Sequence, residues 1–259
     1  MGKEEEFKQQ VQGNICKAGA DKELAKLTRQ WVLDAGRHGY SYNFSWLGRP
    51  IIQMPQDIVA MQELIWEIKP DLIIETGIAH GGSLILSASM LALLDMCEGI
   101  ESGDLFDPKK SRRKVLGVDI EIRTHNRTAI EAHPMASRIQ MIQGSSIAPE
   151  IIERVRAVAA NYSRVLVLLD SNHTHEHVLA ELQAYGPLTS KGSYCVVYDT
   201  FIEDAPTELL GDRPWAPGNS PKTAVWEFLK THPEFEVDKR IEQKLLITVS
   251  PDGYLRRVA

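Results

Sequence analysis

The sequence has 259 residues, of which 43% are hydrophobic and 25% are charged, so it can bury the core of one α/β domain. Its formal net charge is −6 and it has no long basic run, which argues against nucleic acid as a main partner. Three distant cysteines, no signal-peptide pattern and no run of ~18 apolar residues predict a cytoplasmic protein without disulfides or a membrane partner.

The first part of the chain, residues 3–48, has helical patterns and ends in four aromatic residues, Tyr40, Tyr42, Phe44 and Trp46. Aromatic residues ahead of a first core helix indicate core or subunit contacts rather than a substrate cover. We therefore predict a helical N-terminal lead-in at 1–48, a catalytic domain at 49–259 and a homo-oligomer with contacts through the lead-in or the terminal strands.

Short apolar runs then alternate with amphipathic stretches. The predicted strands are 72–75, 115–119, 139–142, 165–170 and 194–199, and the predicted helices are 55–68, 83–96, 126–132, 149–159 and 175–185. Because the strands are apolar throughout, both of their faces are expected to be buried. This order predicts a Rossmann-like α/β fold with a mostly parallel, doubly wound sheet.

The C-terminal end departs from this alternation. Residues 235–241 and 244–249 form two extended runs before a turn at 251–253, which predicts an antiparallel strand pair that closes the sheet. Two polar insertions, 98–113 and 203–220, interrupt the chain earlier. The second contains three prolines and is a candidate substrate loop, whereas the first has no evident function.

A glycine loop follows the first predicted core strand. Its candidate cofactor-binding residues are Glu75, Gly77, Gly81, Gly82 and Ser83. Glycines let the backbone approach a ligand, and the next helix offers free N–H groups at its N-terminus. The spacing differs from the dinucleotide-binding pattern, and an acid at the start of the loop favours the cationic S-adenosylmethionine over a pyrophosphate. The alternative is an ordinary strand-to-helix turn.

Two further positions extend the predicted cofactor site. Asp119 ends the second core strand, where a carboxylate can accept the ribose hydroxyls of an adenosine, although it can equally cap Arg123 or a helix. Ser145 follows the third strand and either meets the adenine ring or is the N-cap of the next helix.

Two aspartates, Asp170 and Asp199, end the fourth and fifth core strands. Carboxyl ends of parallel strands open on the ligand crevice, and with Thr200 these residues offer oxygen ligands for Mg²⁺ or another divalent cation. Strand-end aspartates also cap helices, so both interpretations stay open. His173 is placed to act as a general base or to support the ligand residues, and Asp170 is the alternative proton acceptor. The His-Glu-x-x-His pattern of hydrolytic zinc sites is absent.

At these residues the chain resembles the cephalosporin hydroxylase family, which includes rhamnosyl O-methyltransferases. The matching stretches include 46–53, 71–77, 130–134, 144–146, 170–173 and 215–225. The resemblance implies a class I methyltransferase fold with a seven-stranded sheet, cofactor contacts at the glycine loop and Asp119, and a divalent metal on Asp170 and Asp199. Many relatives have Glu-Asp where this chain has Tyr198-Asp199, so one expected carboxylate is missing.

The sequence thus predicts an S-adenosylmethionine-dependent O-methyltransferase. Its acceptor is a small-molecule hydroxyl, on a sugar or a glycosylated metabolite, and a divalent cation, Mg²⁺, assists the transfer. Two alternatives remain: a non-methylating, hydroxylase-associated enzyme, and a non-catalytic cofactor-binding partner in a biosynthetic complex.

Overall fold

The computed structural model describes residues 2–103, 107 and 110–259. Its helices are α1 (Lys3–Ala20), α2 (Lys22–Arg37), α3 (Pro55–Ile68), α4 (Gly82–Ser102), α5 (Thr124–Glu131), α6 (Pro149–Ala159), α7 (His175–Tyr185), α8 (Pro221–Leu229) and α9 (Lys239–Leu245). Its strands are β1 (Phe44–Trp46), β2 (Arg49–Ile51), β3 (Leu72–Thr76), β4 (Lys114–Asp119), β5 (Ile139–Gln143), β6 (Val165–Leu169), β7 (Tyr194–Val197), β8 (Phe235–Val237) and β9 (Tyr254–Arg257).

The central sheet has seven strands in the order β5-β4-β3-β6-β7-β9-β8. The five strands from β3 to β7 run parallel, whereas β9 is antiparallel to both β7 and β8. This arrangement confirms the predicted fold class. The chain moves outward in one direction from β3 and then crosses to β6, so the crevice for a ligand opens at the carboxyl ends of β3 and β6.

Apolar side chains on both faces of the sheet explain its position in the core. On one face, Ile73 and Leu166 pack with residues of α3 and α4, and on the other face Ile74 and Val167 pack with residues of α6, α7 and α8. Alternate residues of a strand point to opposite faces, so continuous apolar runs are needed where helices cover both.

Helix α4 is the only helix in the described part of the chain that is long and apolar enough to cross a membrane. Half of its most apolar window is buried inside the protein, as in a core helix that covers a sheet.

The structure confirms helices 55–68, 149–159 and 175–185 and lengthens α4. The predicted insertion at 98–113 begins inside this helix, which continues to Ser102 and ends at Gly103 in a left-handed conformation. Arg113, at the end of the insertion, forms ion pairs with Asp95 and Glu98 on the last turns of α4. These contacts favour a helical conformation where the insertion begins. Residues 104–106 and 108–109 of the insertion lie outside the described residues.

The antiparallel pair at the C-terminus is confirmed, but one of its predicted strands was wrong. Residues 239–245 form α9, whose N-terminus is capped by the Asp238 carboxylate, and β9 follows the turn instead of preceding it. Asp57 on α3 holds the intervening segment, because its carboxylate accepts hydrogen bonds from the Thr248 hydroxyl and from the Val249 amide. These hydrogen bonds to a distant helix take the place of the strand pairing that the extended pattern predicted.

The predicted lead-in contains α1, α2 and β1, and β1 pairs with β2 in a hairpin. Leu47 and Gly48 form the turn of this hairpin with φ angles of 45° and 85°. The proposed domain boundary between residues 48 and 49 falls at this turn, and the division of the chain stays a prediction.

Candidate active site

A cleft of about 780 Å³ opens at the carboxyl ends of β3, β6 and β7. One wall comes from α2 and the segment after it, and another from the predicted substrate loop. The predicted site residues that line it are Gly77, Gly82, Ser83, Asp170, His173 and Asp199. The other predicted site residues, Glu75, Gly81, Asp119, Ser145 and Thr200, are not among the described residues that line it.

The glycine loop between β3 and α4 has three residues in left-handed conformations: Gly77 (φ 89°), Ala79 (φ 45°) and Gly81 (φ 82°). A Cβ on Gly77 would lie 2.0 Å from the carbonyl oxygen of Asp170. Glycine is therefore required there both for the backbone angle and for the close approach of the loop to the end of β6. The loop and the fourth core strand form one rigid edge of the cleft.

Glu75 lies beneath the loop and is only 2% exposed. Its Oε1 accepts a hydrogen bond from the Ser83 hydroxyl, whereas its Oε2 has no hydrogen-bond partner among the described residues. Burial raises the pKa of the Glu75 carboxyl to about 8, and the hydrogen bond from Ser83 opposes this shift. Ser83 lines the cleft, so its hydroxyl connects the buried Glu75 carboxyl to the cleft.

Three side chains from other elements hold the backbone of the glycine loop. The Asp119 Oδ2 accepts hydrogen bonds from the Ile78 amide (2.7 Å) and the Ala79 amide (3.3 Å). The Asn126 amide donates to the Ala79 carbonyl (2.8 Å), and the Arg49 guanidinium donates to the His80 carbonyl and to Asn126 Oδ1. Arg49 and Asn126 were not predicted as site residues, although Arg49 lies in a stretch that carries the family resemblance.

Ser145 follows β5, as predicted, and its carbonyl accepts a hydrogen bond from the Ala148 amide. The interpretation of Ser145 as an N-cap was wrong, because Ala148 occupies the N-cap position of α6. The neighbouring Ser146 is buried, and its hydroxyl lies 3.0 Å from His177 Nε2. This contact joins the loop that follows β5 to the first turn of α7.

The structure brings Asp170, His173 and Asp199 together. Ligand atoms from all three lie within 4.8 Å of one another, and His173 Nε2 is 3.2 Å from Asp199 Oδ2. Asp199 has a left-handed backbone (φ 55°), which lets the chain turn sharply after β7. Trp215 from the predicted substrate loop packs edge-to-face on His173, with ring centroids 4.8 Å apart.

The surroundings of Asp170 fit a bound cation. Desolvation raises the pKa of its carboxyl well above the usual range, and the nearby carboxylates of Asp199 and Glu75 raise it further. Its side chain accepts a hydrogen bond from the Gln53 amide, at 3.3 Å, rather than from a lysine or arginine of the described chain. The two carboxylates offer the oxygen ligands that a divalent cation such as Mg²⁺ prefers, and the His173 imidazole lies beside them.

Thr200 does not belong to this cluster. Its side chain is buried and its hydroxyl donates to the Pro251 carbonyl (2.6 Å), so the structure places His173 where Thr200 was predicted. Tyr198 is also buried, and burial together with nearby carboxylates raises the pKa of its phenol well above the usual range. The side chain in the place of the relatives' second carboxylate is therefore a neutral phenol.

Comparison with known proteins gives these positions a context. A family model described as "Rhamnosyl O-methyltransferase/CmcI" matches residues 38–258. The chain belongs to this family. The match includes the β1–β2 hairpin and every residue of the cluster at the cleft, and it begins just after α2.

Individual members of the rhamnosyl O-methyltransferase/CmcI family are moderately similar in sequence. The rhamnosyl O-methyltransferase of Mycobacterium leprae is 29% identical over 217 residues, which cover 82% of each chain. Its counterpart in Mycobacterium tuberculosis H37Rv is 31% identical over 206 residues, which cover 78% of this chain and 73% of that protein.

Solved structures of CmcI share the fold. The Mg–SAM structure has a TM-score of 0.54 at 18% identity and covers 84% of this chain and 78% of that one. The SAH structure also has a TM-score of 0.54, at 20% identity, and covers 88% and 92%. The predicted class I methyltransferase architecture is thereby confirmed.

Proposed function

We propose that this protein transfers the methyl group of S-adenosylmethionine to a hydroxyl of a sugar or glycosylated small molecule, with help from a divalent cation. The observation that carries this proposal is the position of the Asp170–His173–Asp199 cluster, which shares one cleft with the glycine loop. The family and its curated relatives, which are named as rhamnosyl O-methyltransferases, support the reaction type and the sugar acceptor.

The cofactor would bind along the loop between β3 and α4. When bound, S-adenosylmethionine supplies an already activated methyl group, so the protein must mainly align the acceptor oxygen with it. Gly77 and Gly82 let the backbone approach the ligand, and Ser83 presents a hydroxyl at the first turn of α4. Glu75 beneath Ser83 supplies negative charge for a cationic ligand when it is ionised.

Asp170 and Asp199 would hold the divalent cation, for which Mg²⁺ is the expected ion, because a Mg–SAM structure is known for CmcI. Such an ion would lower the pKa of an acceptor hydroxyl and fix its direction. His173 accepts the hydroxyl proton on an imidazole nitrogen, and the Asp199 carboxylate and the Trp215 ring hold the imidazole in place. Asp170 is the alternative proton acceptor.

The acceptor would occupy the outer part of the cleft. Apolar residues from two segments form its walls, among them Val32 and Leu33 on α2 and Leu209, Leu210 and Trp215 on the substrate loop. A volume of about 780 Å³ accommodates the cofactor and an acceptor side by side. A small-molecule acceptor therefore fits better than a macromolecule.

Methyl transfer to a panel of glycosides tests this proposal. We expect His173→Ala to lower kcat by about 10²- to 10⁴-fold, which is the usual contribution of a general base. Glu176→Gln, an exposed change on the same segment, serves as the control and should keep full activity. Unchanged kcat in the His173 variant would contradict the assigned role.

The cation is tested separately. Chelator-treated protein should lose activity and recover it with Mg²⁺, and calorimetry should show Mg²⁺ binding that Asp199→Ala abolishes. Full activity of Asp199→Ala without added metal would remove the cation from the mechanism.

Calorimetry with the cofactor, combined with the methyl-transfer assay, distinguishes the two alternatives. Cofactor binding without transfer to any hydroxyl would favour a non-catalytic partner, and a different product would favour a non-methylating enzyme.

The homo-oligomer and the cytoplasmic location remain proposals from the sequence. Gel filtration with light scattering would test the oligomeric state.

A further inference from the structure

Helix α2 lines the cleft although it precedes the part of the chain that the family model matches. The match begins at residue 38, and α2 ends at Arg37. Its residues at the cleft are Val32, Leu33, Gly36 and Arg37. Gly36 is four residues after Val32 and three after Leu33, so these three lie on one face of the helix. Together they form the α2 wall.

We propose that the α2 wall selects the acceptor by binding an apolar group that is attached to the methylated sugar. Its residues determine specificity and take no part in the transfer itself. The inference rests on the proposed function, because it assumes a glycosylated acceptor in the cleft, and it adds which part of that acceptor α2 holds.

The cleft offers two chemically different environments. Asp170, His173 and Asp199 present oxygen and nitrogen atoms, whereas the α2 wall presents two branched apolar side chains and a glycine. A sugar hydroxyl that is buried against apolar side chains loses its hydrogen bonds to water without replacement, which is costly. The sugar therefore belongs beside the polar cluster, where one hydroxyl meets His173, and an apolar substituent belongs against α2.

Contacts with the substrate loop hold the α2 wall in place. Leu33 packs against buried apolar side chains of residues 202–210. One turn earlier, the Arg29 guanidinium donates a hydrogen bond to the Asp204 carbonyl, and the Asp204 carboxylate forms an ion pair with the buried Lys222 of α8. The wall is thus fixed to the domain that carries the reacting residues.

The same packed layer reaches the proton acceptor. Trp215 packs against the apolar side chains that Leu33 contacts, and its ring also meets the His173 imidazole edge-to-face. An acceptor group that lies against α2 is therefore held at a defined position relative to His173, which is what alignment of a hydroxyl for methyl transfer requires.

Gly36 leaves open space in the wall. A Cβ at this position would meet no atom within 4 Å, and the residue lies inside α2 without a left-handed backbone. A larger side chain is therefore compatible with the fold, and most residues favour a helix more than glycine does. Such a side chain would fill the space that the apolar group of the acceptor occupies.

Two glycosides with the same sugar, one with a methyl and one with a phenyl aglycone, test the α2 wall. We expect the parent protein to show a kcat/KM about 10- to 100-fold higher for the phenyl glycoside, as burial of a ring-sized apolar group implies. Gly36→Leu should remove most of this preference and change transfer to the methyl glycoside less than about threefold. Gly36→Ala, a smaller change, should remove less of it.

The matched control is Gly13→Leu on α1. A Cβ on Gly13 also meets no atom within 4 Å, and Gly13 is not among the described residues that line the cleft, so this variant should keep the full preference. Calorimetry with S-adenosylhomocysteine should give the same affinity for every variant, because the glycine loop is untouched. Circular dichroism at the assay temperature confirms that each variant is folded.

The outcomes distinguish this inference from the proposed function. Equal kcat/KM values of the parent for the two glycosides, or a preference that Gly36→Leu keeps, would overturn the role of the α2 wall and leave the proposed function intact. An equal loss for both glycosides in Gly36→Leu would also overturn it, because the new side chain would then obstruct the sugar or the cofactor. No methyl transfer to any glycoside would overturn the proposed function and this inference with it.

Discussion

Glu75→Gln should stabilise the cofactor-free protein, and the gain should grow with pH. The Glu75 carboxyl has a pKa raised from 4.5 to about 8 because it is buried. Below pH 4.5 the group is protonated in the folded and unfolded states, so it adds no pH dependence. Between pH 4.5 and 8 the unfolded chain is ionised while the folded protein keeps the proton, so stability falls as pH rises. Glutamine has the same shape and does not ionise.

The magnitude follows from the size of the shift. Each pKa unit corresponds to about 1.4 kcal/mol, so raising the pH from 5 to 8 should widen the gap between variant and parent by roughly 4 kcal/mol. Urea unfolding followed by tryptophan fluorescence at pH 5, 6, 7 and 8 measures this gap. A gap that stays constant over that range would refute the assignment of a protonated, buried Glu75. The same variant should bind S-adenosylmethionine more weakly, because it lacks the negative charge.

Two further substitutions test the framework of the site. Gly77→Ala should abolish detectable cofactor binding in calorimetry, because its Cβ would lie 2.0 Å from the Asp170 carbonyl; binding within twofold of the parent would contradict the tight approach of loop and strand. Asp57→Asn should lower the free energy of unfolding by about 1–3 kcal/mol, because both carboxylate oxygens accept hydrogen bonds, one from the Thr248 and Tyr254 hydroxyls and the other from the Val249 amide, and an amide NH₂ group in either place cannot accept. Unchanged urea unfolding would show that the C-terminal segment does not depend on this anchor.

The parts of the fold that the sequence predicted are those with strong local patterns. Strand β6 is apolar at every position and β3 at its first three, so their burial on both faces follows directly. Helices α3 and α6 begin at Pro55 and Pro149, which mark the first turn. In these segments the local preference and the tertiary contacts favour the same structure.

The C-terminal segment shows where local patterns fail. Residues 239–249 are compatible with a strand, but Asp238 caps a helix there and Asp57 binds the residues that follow. Asp57 lies far away in the sequence, and its hydrogen bonds decide the structure of a segment whose own preference is weak. A single sequence gives no indication of such a contact.

The site shows the same division. Asp170 and Asp199 were predicted as neighbours because parallel strands end at one edge, and His173 follows the first of them closely. Gln53, Arg49 and Asn126 come from other elements and reach the site through side-chain geometry that spacing does not encode. The hydrogen bonds that Asp119 accepts were also not predicted, because they depend on the path of the glycine loop, whose amides point toward this carboxylate.

The most direct test of the central claim is transfer of a labelled methyl group. Purified protein with Mg²⁺ is incubated with methyl-labelled S-adenosylmethionine and an extract of its host, and products are analysed by chromatography and mass spectrometry. We expect label in an ether formed at a sugar hydroxyl of a small molecule, and loss of this product in the His173→Ala variant. Cofactor binding with label in no product, or label on nitrogen or carbon, would contradict it.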